Sequence, residues 1–118
     1  MPNPLCHFEF MTNDPQRLRS FYENLFDWNY DDRSMPGYTL VQTGTEPTGG
    51  LFQTPPGAKG NCLTVYFQVP DLDSTLKKVE KSGGKLVVGK TPIPGVGHFA
   101  MITDVDGNTV GLMQPGAV

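Results

Sequence analysis

The chain has 118 residues, 37% of them hydrophobic and 18% charged, with a formal net charge of −3. That length suits one domain with a core of its own. No basic cluster exceeds Lys77-Lys78, which excludes an electrostatic footprint for nucleic acid, and no apolar run nears the roughly 18 residues a membrane span needs.

Met1-Pro2-Asn3-Pro4 has neither the charged nor the apolar region of a secretory leader, so a cytoplasmic protein is expected. Leu5 to Thr12 alternates and reads as a strand, with Phe8 and Phe10 on one face and His7, Glu9 and Met11 on the other. Asp14 is placed to cap a helix that Pro15 opens, and Leu18, Phe21, Tyr22 and Leu25 form its apolar stripe. Strands are then expected from Trp28 to Asp31, from Tyr38 to Thr43 and from Gly49-Gly50 to Gln53. Thr54 to Gly60, with Pro55-Pro56-Gly57, reads as a linker.

The order then repeats. Leu63 to Val69 is a strand with Val65, Phe67 and Val69 on one face and Thr64, Tyr66 and Gln68 on the other. Asp71 caps a helix carrying Leu72, Leu76 and Val79, which closes at Ser82-Gly83-Gly84. Lys85 to Gly89, Gly97 to Thr103 and Thr109 to Met113 complete the second set of strands, with Asp104 to Asn108 as the last turn. Asp14 and Asp71 are 57 positions apart, Gly37 and Gly97 60, and Gly50 and Gly111 61, so two copies of one supersecondary unit are expected. Cys6 and Cys62, at similar places in the two halves, match no zinc spacing; buried free thiols are expected, with a disulfide or a metal pair as the alternative.

Each half thus reads as β-α-β-β-β, module one over about 4–54, a linker over about 55–60 and module two over about 61–115, within one domain of the α+β class. One helix covers one sheet face in each module. The opposite face, with His7, Glu9, Tyr66 and Gln68, is too polar for a core, and two such faces would enclose a ligand cleft.

Several motifs resemble the vicinal oxygen chelate superfamily of glyoxalases, bleomycin-resistance proteins and extradiol dioxygenases, and most of all its small glyoxalase-related members. They are His7 to Asp14 followed by Phe21-Tyr22, then Phe26-Asp27-Trp28 where the family often has Phe-Gly-Trp, and Asp104-Val105-Asp106-Gly107-Asn108 where it often has Asp-Pro-Asp-Gly-Asn. The resemblance implies tandem modules forming a curved, half-open barrel with both helices outside, and a homodimer. Metal-dependent members take one ligand from the first strand and one from the last strand of each module. Here those positions are His7, Gly50, Thr64 and Gly111, so a single ligand, His7, remains for any metal. A catalytic first-row ion normally takes about three protein ligands. A migrated set of His7, Glu9 and His98 is the one alternative the sequence offers.

The sequence therefore favours a glyoxalase-like protein with a cleft for a small organic molecule, no cofactor and no standard four-ligand metal site. The competing reading is a metal-dependent lyase, isomerase or dioxygenase acting on vicinal oxygens, with Glu9 as its proton-handling catalytic group. Residues expected to line the cleft are His7, Glu9, Thr64, Tyr66, Gln68 and Met113, with Trp28 and His98.

Overall fold

A computed structural model describes residues 3–116. Met1 and Pro2, on which the leader reading partly rests, lie outside them. The element order is β1 (Leu5–Thr12), α1 (Pro15–Leu25), β2 (Asn29–Met35), β3 (Tyr38–Gln42), β4 (Thr48–Gln53), β5 (Cys62–Gln68), α2 (Leu72–Lys81), β6 (Lys85–Ile93), β7 (Gly97–Thr103) and β8 (Thr109–Pro115). This is the expected β-α-β-β-β order, twice. Two compact units divide the chain, residues 7–64 and residues 65–116 joined by residues 3–6.

In the first unit the strands run β2-β3-β4-β1, with β1 parallel to β4 and the other neighbours antiparallel. The Asp14 carboxylate accepts from the Arg17 amide at 3.2 Å, and Pro15 occupies the first turn, where its missing N–H costs nothing. Tyr22 of α1 meets Phe10 of β1 at a ring separation of 5.3 Å, so the Phe8 and Phe10 side of the sheet is the helix side. Val41 and Leu51 are buried. Phe8 lies where a side chain on Gly49 would stand, so that glycine is what lets β1 and β4 carry an aromatic layer.

The second unit repeats the plan as β5-β8-β7-β6, with β5 parallel to β8. Its core is Val69, Leu72, Ala100 and Leu112, with Phe67, Leu76, Val79 and Ile102 against it. The helix stripe read from the sequence is therefore the packed one. Gly83 takes a φ of +96° after α2, a left-handed ending that a side chain would resist.

Four local expectations need correction. Asp71 precedes α2, but its side chain makes no capping bond; the Leu72 amide instead donates to Gln114 Oε1 of β8 at 2.7 Å. β6 continues to Ile93, because Thr91 to Ile93 still pair with β7. Both cysteines are free, yet Cys62 is exposed where a buried thiol was expected. The α1 stripe is only half used, with Phe21 57% and Leu25 56% exposed, whereas Leu72 on α2 is fully buried.

Candidate functional site

The polar face of the first unit is organised around Tyr38, which opens β3. Its hydroxyl donates to Glu9 Oε2 at 2.8 Å and lies 2.8 Å from His7 Nε2. His7 and Glu9 reach the same side because they are two apart on β1. Tyr38 reaches them across β4, where Glu9 pairs with Gly50. A Cβ built on Gly50 would land on the Tyr38 hydroxyl and the ring carbon bearing it. Phe52 stacks on the same ring with centroids 5.7 Å apart. Burial pushes the His7 imidazole below its ordinary range, opposed by the Glu9 carboxylate and a backbone hydrogen bond at Thr48. A neutral imidazole, a phenol and a carboxylate in one hydrogen-bonded row can accept, donate or pass a proton, and the carboxylate can pair with a cation.

The corresponding face of the second unit is built differently. Tyr66 pairs with Gly111 as Glu9 pairs with Gly50. Its ring fills the place of a side chain on Gly111, is only 5% exposed, and meets Phe99 edge-on at 6.4 Å. Met113 pairs with both Gln68 and Phe99, so it belongs to this face, as do Gln68 and, by strand alternation, Thr64.

Two of the expected lining residues are not on these faces. Trp28 stacks on Phe26 at 5.0 Å and Tyr22 at 5.1 Å and contacts Phe8, which places it in the helix-side aromatic layer. His98 alternates with Ala100 and Ile102, the helix-side residues of β7, and pairs with Gln114. Matching Gly37 with Gly97, 60 positions apart, sets His98 against Tyr38. The strand register corrects it: Leu40 pairs with Gly50 and Met101 with Gly111, so the third strands match at 61 and the counterpart of Tyr38 is Phe99. A slip of one residue exchanges the faces of a strand.

Tyr38 is the site residue the sequence reading undervalued. Its signal was present in Gly49-Gly50, since glycine inside a strand often marks close approach of another group.

The chain belongs to the Glyoxalase/Bleomycin resistance protein/Dioxygenase superfamily, whose family model matches residues 5–112. It is 32% identical over 113 residues to "Putative glyoxylase CFP32" of Mycobacterium bovis, a match covering 90% of this chain and 43% of that protein. The anthracycline biosynthesis protein DnrV of Streptomyces peucetius is 25% identical over 134 residues, covering 99% of this chain and 49% of that one. The chain thus spans less than half the length of these curated relatives. Among solved structures, a superfamily member from Vibrio splendidus 12B01 aligns with a TM-score of 0.68 at 14% identity, over 96% of this chain and 99% of that one, which supports the fold.

The family's divalent ion can be tested position by position. His7 supplies an imidazole, but its Nε2 is engaged by Tyr38. Gly50 and Gly111 have no side chain, and tyrosine atoms fill the space one would need. Thr64 offers only a hydroxyl. Among the described residues no group of three or more His, Cys, Asp or Glu side chains is placed to hold a metal. These four positions do not fit the family's ion.

Proposed function

We propose that this chain is a glyoxalase-fold module that binds a small organic molecule against the His7–Tyr38–Glu9 face, without a divalent metal. The observation that carries the reading is the Tyr38 hydroxyl, 2.8 Å from both His7 Nε2 and Glu9 Oε2 on a ring backed by Phe52. The ligand class follows from those groups. A planar ring stacks on the aromatic pair, a cationic amine pairs with the Glu9 carboxylate, and a hydroxyl or carbonyl replaces one bond of the row. The relative named for anthracycline biosynthesis adds a concrete probe, an anthracycline.

Thermal shift with a panel of planar cationic and neutral carbonyl compounds, in the presence of chelator, tests the reading. A ligand selective for the folded state raises Tm. The expected result is a shift in wild type that Glu9→Gln and Tyr38→Phe each reduce. No shift across the panel, or one that both variants retain, would count against it.

A homodimer in a reducing compartment is also proposed. Its support is the exposed apolar surface of Phe21, Leu25, Phe26 and Leu63, the free thiols, and relatives about twice as long. A sedimentation mass of 12.9 kDa at micromolar concentration would refute the dimer.

A further inference from the structure

The two last-strand glycines pose one structural problem that the modules solve in two ways. Gly50 and Gly111 sit at equivalent points, each beside the first strand of its own module. A glycine there leaves a hole large enough for a side chain. In the first module the hole is filled from β3 by the tip of Tyr38; in the second it is filled from β5 by the Tyr66 ring, nearer its root. Two rings arriving from different strands at matched positions are not an accident of one packing arrangement.

We propose that Tyr38 and Tyr66 are plugs that exclude a divalent ion from the last-strand positions, and that Tyr38 is the residue deciding this in the first module. Its hydroxyl accepts from the His7 Nε2–H and donates to one carboxylate oxygen of Glu9, tying up the two groups that would otherwise be ligands. Without the phenol, and with a carboxylate at position 50, an imidazole and two carboxylates would share the place the hydroxyl now holds. That is a donor set for a first-row divalent ion, whose bonds to N and O are about 2.0–2.2 Å. The exclusion goes beyond the ligand-binding reading: it accounts for the metal independence assumed there, while organic ligands are tested separately in wild type under chelator.

The experiment titrates Zn²⁺ and Ni²⁺, after chelation and buffer exchange, into wild type, Gly50→Glu, Tyr38→Ala and the double variant Tyr38→Ala/Gly50→Glu. Calorimetry reads affinity and circular dichroism reads folding. Wild type should show no saturable binding, and Gly50→Glu alone should gain little because the phenol still stands in the way. The double variant should bind saturably, about 10–100-fold more tightly than the limit set by wild type, the scale on which supporting residues change metal affinity. Tyr38→His, which leaves Gly50 untouched, is the second route should the double variant fail to fold, and it should gain affinity as well. A folded variant of either kind that gains nothing overturns the proposal, as does wild-type binding as tight as the variants'.

Discussion

At matched positions the two modules carry different chemistry on one backbone plan. His7, Glu9 and Tyr38 of the first correspond to Thr64, Tyr66 and Phe99 of the second, while Gly50 and Gly111 stay the same. The first module keeps a hydrogen-bonded row with its members half-buried; the second turns the same ground into a buried aromatic contact. The helices differ in parallel, α2 seating Leu72 completely and α1 leaving Phe21 and Leu25 open. Repeated topology therefore fixes where side chains converge and leaves open what they do. One module sets a hydrogen-bonded row there, the other an aromatic contact.

The helix contrast carries the largest expected effects. Leu72→Ala should cost about 3 kcal/mol in urea unfolding, because a fully buried leucine leaves a cavity. Phe21→Ala, on the open stripe of α1, should cost about 0.5 kcal/mol in the monomer. Equal costs would erase the distinction between the helices.

The glycine pair comes next. Gly111→Ala drives a methyl into a buried ring close to its root, which cannot swing away, so about 2 kcal/mol is expected. Gly50→Ala meets only the tip of half-buried Tyr38, which rotates out, for about 1 kcal/mol. The milder variant should nevertheless lose more organic ligand, since it breaks the row joining His7 and Glu9. Tyr38→Phe keeps the ring and removes two hydrogen bonds, at about 1 kcal/mol.

The smallest effect is in pH. His7 has its pKa lowered in the folded state from 6.5, chiefly by burial, so near and below pH 6.5 the unfolded chain binds more protons than the folded one. Stability should fall as pH drops through that value towards the lower folded pKa, and His7→Gln should flatten the slope there. A His7→Gln protein with an unchanged profile between pH 7 and 5 would place the burial effect elsewhere.

Much of the fold was legible because its signals are local. Alternation located β1 to the residue, the repeat of Gly37 at Gly97 located β7, and the spacing of Leu72, Leu76 and Val79 announced the packed face of α2. Strand faces told His7 and Glu9 from Phe8 and Phe10 for the same reason. What stayed hidden depends on partners remote in sequence. The cap of α2 comes from Gln114, 42 residues on, so the aspartate at the usual position misled. Trp28 follows a helix and faces the layer that helix covers, where nothing in its neighbours marks a side. The Tyr38 pairing needed the strand register, since matching glycines at an offset of 60 reversed the face of β7. Length of β6 was obscured by Pro92 and Pro94, residues that punctuate loops more often than they end edge strands.

Elemental analysis of the protein expressed in metal-replete medium, paired with thermal unfolding with and without chelator, decides whether the His7 face works without a divalent ion. A metal-free face should show substoichiometric zinc, nickel, iron and manganese and a Tm indifferent to chelator. Stoichiometric metal lost together with stability on chelation, and lost again in His7→Ala, would contradict it.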